Sequence, residues 1–592
     1  MSPMTLVARI VRRVLTRREK LQVGVLGALV LVSVALEMLG LGLFIPTLAL
    51  LTSDDALVDI RARWGPAESM TDLTVVLVGL GLLVVVFLLK TVSTLAIAWY
   101  QRTTMARMSV RLTGDLFERY MRQPWSFHKR SNSAVLIRNV QNASLVVSDG
   151  IGAIMSLVTD GLVAVGILAV LMMVEPVGTS VVVVLFGALA YAIQRTTRGR
   201  IGSLGVERNR HHAQMLRRQQ QGLSAVKEVI VSGRRNAFLG DHRGHVEGMY
   251  MANRTYGFLQ QLPRAWMEVV TVVGLAALIV VVVAQGRDPG EALPILGLFG
   301  VAAFRIQPSI MRMMIALQAL TYSRSVIETF YGHFTMPVVE EGGDGTVPPL
   351  DREILLEGVV FRYEDREAPV LDRVDQRIAR GEKIGIVGPS GAGKSTLVDL
   401  LLGVIEPVEG RILVDGTPIS EGLSSWQRQI GYVPQDIFLL DDTIAQNVAF
   451  GATVDGAATE GIWAALAAAQ LADFVRSLPE GLDTVVGERG VRLSGGQRQR
   501  IGIARALLGD PRVLVFDEAT SALDSSTELG VLDAIRTASR DKTVVAVAHR
   551  PSTLADCDRI WLVADGGIAD LGRPTDSLLR SLAESGTEPA GA

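Results

Sequence analysis

Long uncharged apolar stretches are concentrated in the first half of the chain. They lie at roughly residues 22–51, 73–99, 151–174, 177–194, 266–284 and 291–318. A transmembrane helix needs about 20 predominantly apolar residues, so these stretches are of spanning length. From residue 352 to about residue 580, apolar and charged residues are mixed as in a soluble α/β protein. The pattern therefore predicts a multi-domain chain, in which a six-helix all-α transmembrane domain precedes a soluble α/β domain.

Basic residues are unevenly distributed among the connections. Arginine and lysine are concentrated before the first span, between the second and third spans, and in the loop 195–264. The remaining connections are short or, at 53–71, acidic. By the positive-inside rule the basic loops are cytoplasmic. An even number of spans then places both termini in the cytoplasm, and we expect a multi-pass protein of the cytoplasmic (inner) membrane.

Composition shifts along the chain predict its domain bounds. The apolar run after the basic N-terminal segment is too long for a signal peptide, and no small-residue cleavage site is evident, so we interpret the basic segment as an elbow helix at the cytoplasmic surface. Pro, Gly and Glu residues indicate a linker after the spans. The predicted bounds are 1–20 for the elbow, 21–330 for the transmembrane domain, 331–350 for the linker, 351–580 for the nucleotide-binding domain and 581–592 for a flexible tail.

Three smaller segments carry interpretations of their own. The two long cytoplasmic loops are helix-compatible, and their turns at 124–131 and 234–245 are candidate docking sites for the soluble domain or, alternatively, solvated turns. The acidic outer connection has apolar residues at helical spacing over 54–66, which predicts either a surface helix or an ordinary loop.

Charge and cysteine content exclude some classes of protein. A net charge of −2 gives no indication of a general nucleic-acid-binding surface. The single cysteine, Cys557, rules out an intramolecular disulfide, and nothing in the chain requires an oxidising compartment.

A glycine-rich stretch in the soluble half predicts phosphate binding. Residues Gly388 to Thr396 read GPSGAGKST, between a strand-like run and a helix start. The backbone N–H groups of such a loop surround phosphate oxygens, Lys394 neutralises their charge, and the hydroxyl of Ser395 reaches a magnesium ion. The dipole of the following helix favours the same anion.

Two adjacent carboxylates end another predicted strand. Val513 to Phe516 read as a buried strand that is followed by Asp517 and Glu518. With a phosphate loop in the same domain, we expect Asp517 to hold magnesium, directly or through water, and Glu518 to act as the general base on the attacking water.

The order of these motifs resembles that of the ATP-binding cassette transporters, and the resemblance covers nearly the whole chain. LSGGQ, at 493–497, corresponds to that family's signature. In the family, the signature of one subunit closes over ATP held by the phosphate loop of another. One chain carries one of each, so the resemblance implies a homodimer with two equivalent composite sites, using ATP and Mg2+.

The same resemblance implies roles for single residues. Tyr363 corresponds to the residue that stacks on adenine, Gln435 to the glutamine loop, Asp524 to the loop after the catalytic glutamate, and His549 to the switch histidine at the γ-phosphate. Implied catalytic residues are Lys394, Glu518 and His549, and implied magnesium ligands are Ser395, Gln435 and Asp517. The implied ATP contacts are Tyr363, Gly388, Ser390, Gly391, Gly393, Lys394, Ser395, Thr396, Gln435, Ser494, Gly495, Gly496, Gln497 and Asp524.

Charged residues within or beside the spans are candidates for a substrate site. An ionised group facing lipid costs at least a few kcal/mol, so such residues normally face a bundle interior or a water-filled cavity. Several cations around one cavity would bind a phosphate or pyrophosphate headgroup, whereas mutual ion pairing would only fix helix packing. The candidates are Glu37, Lys90, Arg264, Arg305 and Arg312.

Particular segments resemble the exporter-type branch and, within it, the bacterial flippases of lipid-linked oligosaccharides for protein N-glycosylation. They are LPRAWME at 262–268, FRIQPSIMR at 304–312 and the motor stretch IGYVPQDIFLLDDTIAQNVAFG. This implies ATP-driven export of an anionic polyprenyl-linked oligosaccharide or related glycolipid. Lys90 stands where that family has arginine, which keeps the charge and loses the bidentate geometry. A general drug or lipid exporter is the alternative; an ATP-gated channel or membrane sensor is an alternative of another class.

Overall fold

The computed structural model describes residues 3–52, 70–284, 289–338, 345–364, 366–519, 525–548 and 550–584. The chain forms two compact units. The first comprises Met1–Met121 and His128–Val338, and the second comprises Arg122–Phe127 and Val339–Ala592. The unit boundary at 338 and 339 falls within the predicted linker, while the finer domain bounds stay predictions.

The first unit is helical throughout its described part. A π-helical turn, Val146–Gly152, lies inside the third membrane-crossing stretch. In chain order the helices up to residue 334 are α1 Pro3–Arg13, α2 Arg17–Thr52, α3 Asp72–Met121, α4 Trp125–Arg130, α5 Ser133–Leu145, α6 Ala153–Val174, α7 Pro176–Ser224, α8 Val226–Val231, α9 Arg235–Ala284, α10 Pro289–Tyr322 and α11 Arg324–Phe334. The first three residues of α4 belong to the second unit.

Five helices among the described residues are long and apolar enough to cross a membrane. They are Arg17–Gly40, Asp72–Met121, Ser133–Val174, Pro176–Ser224 and Arg235–Val282. These five contain or overlap the first five predicted spans. The sixth predicted span, 291–318, lies within the helix α10.

Several helices continue far beyond their apolar stretches. The apolar part of α3 ends near residue 99 and the helix ends at Met121, while that of α7 ends near residue 194 and the helix ends at Ser224. The two long basic loops therefore extend the spanning helices, as their helix-compatible sequence predicts. The predicted outer segment 54–66 lies outside the described residues.

The described part of the second unit contains two sheets. The antiparallel sheet has the order β2-β1-β4-β5, with β1 Glu353–Phe361, β2 Leu371–Ala379, β4 Glu409–Val414 and β5 Thr417–Pro418. The mixed sheet has the order β10-β9-β3-β8-β7-β6, with β3 Lys383–Val387, β6 Ile430–Val433, β7 Val513–Asp517, β8 Thr543–Val547, β9 Arg559–Ala564 and β10 Gly567–Asp570. The α-helices of this unit are α12 Lys394–Leu401, α13 Leu423–Gln427, α14 Ile444–Ala449, α15 Gly456–Ala468, α16 Ala472–Ser477, α17 Gly495–Leu507, α18 Ser525–Ala538, α19 Pro551–Leu554 and α20 Asp576–Glu584.

The central strands of the mixed sheet are buried on both faces. In β7, Val513 and Val515 belong to one apolar core, whereas Leu514 and Phe516 belong to the other. Alternate residues of a strand point to opposite faces, so an almost continuous apolar run is what a covered parallel sheet requires.

Five neighbouring strands of this sheet run parallel, and their carboxyl ends share one edge. The pairs β3 with β9, β3 with β8, β8 with β7, and β7 with β6 are all parallel. Ligands of open α/β sheets bind outside that edge. The phosphate loop follows β3, Gln435 follows β6 and Glu518 follows β7, so the fold brings the separated motifs to one side of the sheet.

Candidate functional site

The phosphate loop requires glycine at two positions for steric reasons. Gly388 has φ 152°, and a Cβ there would lie 2.2 Å from the carbonyl oxygen of Val563. Gly393 has φ 109°, where a Cβ would lie 3.0 Å from Val370 Cγ1. Other residues rarely adopt such φ values. Gly393 also caps the N-terminus of α12, whose first N–H groups have no partner within the helix and are suited to an anion.

Lys394 is folded back onto the phosphate loop. Its ammonium group donates hydrogen bonds to the carbonyl oxygens of Gly388 at 2.8 Å and Pro389 at 3.0 Å. Burial lowers the pKa of Lys394, while the charges of Glu518 and Asp517 oppose that shift. The charge that would neutralise phosphate is therefore held within the loop, opposite two carboxylates.

The two carboxylates at the end of β7 have different surroundings. The pKa of Asp517 is raised by burial first, and then by the charges of Glu518 and Asp399, with Lys394 acting in the opposite direction. Glu518 lies just past the strand at φ 49°, and its N–H donates to the carbonyl oxygen of Val547 at 3.1 Å.

Gln435 contacts Glu518 directly. The Nε2 amide of Gln435 donates a hydrogen bond to Glu518 Oε2 at 2.8 Å. The pairing of β6 with β7 explains this contact. Val433 is paired with Phe516 in parallel register, and Gln435 and Glu518 each lie two residues after these partners. The structure thus brings together the predicted base and the predicted glutamine-loop residue.

Tyr363 lies beside the start of the helix that follows the phosphate loop. Its hydroxyl is 3.1 Å from Thr396 Oγ1, and its ring packs edge-on against Phe361 with centroids 4.9 Å apart. Tyr363 is therefore positioned next to the candidate nucleotide site. Its stacking on adenine stays a prediction.

The LSGGQ segment begins α17 with a capping box. Gln497 N–H donates to Ser494 Oγ at 3.2 Å, and Ser494 N–H donates to Gln497 Oε1 at 2.8 Å. The two residues thus satisfy each other at the helix start, and Gly495 remains exposed there. The predicted contacts Asp524 and His549 lie outside the described residues.

The candidate substrate cations separate into three ion-paired groups. Lys90 and Arg305 both contact Glu37, with Arg305 Nε 3.4 Å from Glu37 Oε1. This first group, Glu37, Lys90 and Arg305, carries one net positive charge, and Glu37 is only 8% exposed. The ring of Phe87 lies 5.8 Å from Lys90 Nζ and 5.0 Å from the guanidinium carbon of Arg305, so each cation is also within cation–π range.

The second group joins α10 to α6. Arg312 donates through Nε to Asp160 Oδ1 at 2.8 Å, and Ser156 Oγ donates to the other oxygen of Asp160 at 2.8 Å. The Asp160 side chain is 6% exposed, whereas that of Arg312 is 55% exposed. Arg312 therefore has an accessible side in addition to its buried counter-ion.

Arg264 lies in a third, looser group on α9. Its Nε is 3.7 Å from Glu268 Oε1, and both side chains are largely exposed. Direct contacts thus do not unite the four predicted cations in one cluster. Phe87 and Ser156 were not predicted. Phe87 lies three residues before Lys90, and Ser156 lies four residues before Asp160. Because residues at these spacings are neighbours on a helix, the spacing could have identified both contacts.

Fold and site together define a membrane transporter with its own ATPase. Residues 371–521 match the family model described as ABC transporter, and residues 23–304 match the one described as ABC transporter transmembrane region. The chain is 33% identical over 486 residues to the ATP-dependent lipid A-core flippase of Burkholderia orbicola, covering 80% of this chain and 79% of that protein. The chain therefore belongs to the ABC transporter family.

Other relatives agree with this assignment. An ATM1-type heavy metal exporter of Novosphingobium aromaticivorans is 46% identical over 228 residues, 38% of this chain and 37% of that protein. The solved structure of a bacterial Atm1-family ABC exporter with ATP bound is similar over 96% of this chain and 100% of that chain, with a TM-score of 0.76 and 25% identity. The protein is an exporter-type half-transporter with a multi-pass membrane domain, and it uses ATP through its ATPase domain.

Proposed function

We propose that the protein moves an anionic polyprenyl-linked oligosaccharide, or a related glycolipid, outward across the cytoplasmic membrane by hydrolysing ATP. The observation that carries the proposal is the group of Glu37, Lys90 and Arg305. It places two cations on one buried carboxylate. Glu37 and Lys90 lie in helices of spanning length, and Arg305 lies on α10. A net positive charge at this depth is costly unless an anion can approach it, and a phosphate-bearing headgroup supplies that anion.

Arg312 extends the same interpretation. Its partner Asp160 neutralises it, yet more than half of its side chain stays accessible. A guanidinium can bind a carboxylate on one edge and a phosphate on another. Arg305 and Arg312 both lie on α10, seven residues and thus about two helical turns apart, so one extended headgroup could contact both.

The relatives support a lipid as the cargo. Several proteins at least 30% identical to this chain over most of their length carry the name lipid A-core flippase. That name supports the movement of a lipid or glycolipid and leaves the headgroup open. The preference for a polyprenyl-linked oligosaccharide rests on the sequence segments around Arg264, Arg305 and Arg312.

For ATP hydrolysis, we assign the base to Glu518, held by Gln435 beside the phosphate loop. Ser395, Gln435 and Asp517 are suited to hold Mg2+. A magnesium ion would stabilise the ionised form of the buried Asp517, whose pKa burial and its acidic neighbours raise. Lys394 would exchange its two carbonyl contacts for phosphate oxygens.

We further propose that the active unit is a homodimer with both termini in the cytoplasm. The LSGGQ segment and the phosphate loop occur once each in this chain. Two copies would provide two composite ATP sites, each formed by the phosphate loop of one subunit and α17 of the other.

The proposal can be tested with purified protein in liposomes. We expect ATP-dependent exposure of a fluorescent polyprenyl pyrophosphate-linked sugar on the opposite leaflet, abolished in Glu518→Gln and strongly reduced in Arg305→Ala. Transport of diverse apolar compounds that is indifferent to Arg305→Ala would instead support a general exporter. Ion conductance without lipid movement would support a channel.

A further inference from the structure

Histidines are concentrated where α7 and α9 face each other. Four of the seven histidines in the chain lie on these two helices, His211 and His212 on α7 and His242 and His245 on α9. The apolar part of α7 ends near residue 194, so these side chains lie more than four helical turns beyond it, in the segment that we predict to be cytoplasmic. Soluble ions can therefore reach them.

Two of these imidazoles meet nitrogen to nitrogen. Nδ1 of His211 is 3.2 Å from Nδ1 of His245, and the rings are tilted by 53° with their centroids 5.4 Å apart. Gly248, one turn after His245, leaves room for the contact, because a Cβ at this glycine would lie 2.6 Å from the His211 ring. The pair is partly buried and keeps a solvent-facing side.

A carboxylate stands behind one of the two rings. Asp241 Oδ1 is 3.8 Å from His245 Nε2, and Asp241 Oδ2 is 2.5 Å from Arg218 Nε on α7. The separation is too long for a hydrogen bond, but a negative charge on this side of the ring favours the tautomer that carries its proton on Nε2. That tautomer leaves Nδ1 of His245 free to donate its lone pair.

We infer that His211 and His245 form a two-imidazole site for a divalent transition-metal ion such as Zn2+. Two nitrogens bound tetrahedrally to zinc at about 2.0–2.1 Å are about 3.3 Å apart, close to the separation between these two atoms. Imidazole is a preferred ligand of zinc, copper and nickel ions. In the metal-free pair one Nδ1 carries the shared proton; on binding, that proton moves to Nε2 of the same ring, so no net proton is lost.

Water would complete the coordination. Within the described part of the chain, no group of three or more His, Cys, Asp or Glu side chains is placed to hold a metal ion. The site is therefore open and exchangeable rather than a closed structural site. Its consequence is mechanical: a bound ion links α7 to α9 at one point along their antiparallel extensions.

Calorimetric titration of the full-length protein with Zn2+ tests the inference, with the protein purified without a histidine tag. We expect one ion per chain, and at least tenfold weaker binding in His211→Gln and His245→Gln. His242→Gln is the matched control, because His242 lies three residues from His245 and contacts Gln219 instead, at 3.0 Å. Binding that is unchanged in the first two variants, or equally weakened in the control, would overturn the inference.

Two further measurements separate metal binding from a structural role of the histidines. Cu2+ bound to the wild-type protein should show electron paramagnetic resonance coupling to two imidazole nitrogens, and Gly248→Ala should weaken binding by displacing the His211 ring. Zn2+ should slow amide hydrogen exchange around residues 208–215 and 241–248 in the wild type and leave His245→Gln unchanged. A copper spectrum with one nitrogen or none would also contradict the site.

Discussion

Replacing Glu37 by glutamine tests the substrate site most directly. The carboxylate of Glu37 is shared by Lys90 and Arg305, and the substitution removes its charge while keeping its shape. At the 3.4 Å separation from Arg305 and an effective dielectric constant of about 20, the gross attraction is about 5 kcal/mol. Removing one partner of a buried ion pair costs about 3–5 kcal/mol, because the remaining charge stays uncompensated.

An anionic headgroup can recover part of that cost. If it recovers about half, its affinity rises about tenfold or more, since each 1.4 kcal/mol corresponds to a factor of ten. We therefore expect Glu37→Gln to lower the concentration of geranylgeranyl pyrophosphate that half-maximally stimulates ATPase activity in zwitterionic nanodiscs. The variant should also gain more thermal stability from the lipid than the wild type does.

The matched control for this experiment is Glu268→Gln. Glu268 also pairs with an arginine, Arg264, but at 3.7 Å and with both side chains exposed, so little should change. An unchanged or higher half-maximal concentration in Glu37→Gln would show that Glu37 does not compete with the headgroup. An effect of equal size in Glu268→Gln would show that the response reports overall charge.

Three predictions concern the ATP site. Glu518→Gln should lower kcat of ATP hydrolysis about 10²- to 10⁴-fold and retain nucleotide binding, measured by phosphate release and equilibrium binding; rapid turnover would exclude Glu518 as the base. Gly388→Ala should abolish binding of a fluorescent ATP analogue, because its Cβ would meet the Val563 carbonyl oxygen; near-normal affinity would contradict that geometry. Because the pKa of Asp517 is raised, Mg2+-ATP binding at acidic pH should release protons and tighten as pH rises; calorimetry in two buffers should show the release, and Asp517→Asn should lose it.

The local motifs of the ATPase domain could be predicted from the sequence because each is short and lies in a recognisable strand or helix context. Gly388 to Gly393 lie between β3 and α12, Lys394 to Thr396 begin α12, and Asp517 ends β7, as the apolar runs predict. Predicting the contact of Gln435 with Glu518 would also require knowing that β6 and β7 are neighbouring strands. The sequence alone does not supply strand order. The capping box of Ser494 and Gln497 matches a simple sequence pattern, a serine three residues before a glutamine at a helix start.

The partners of the membrane charges could not be predicted, because they depend on how separate helices are rotated against one another. Arg312 and Asp160 are 152 positions apart in the chain. Spacing within α10 shows that Arg305 and Arg312 share a helix; it does not show which acids they meet.

Ion pairing and cargo binding are compatible in a transporter, although the sequence presents them as alternatives. A site of unpaired cations would bind an anionic headgroup tightly, and uniformly tight binding slows release without helping turnover. In the first group, Glu37 competes with the headgroup for Lys90 and Arg305 and so limits its affinity. In the second, Asp160 competes for Arg312. The buried carboxylates would then keep binding weak enough for the anion to leave on the outer side, which is a requirement of export rather than of helix packing.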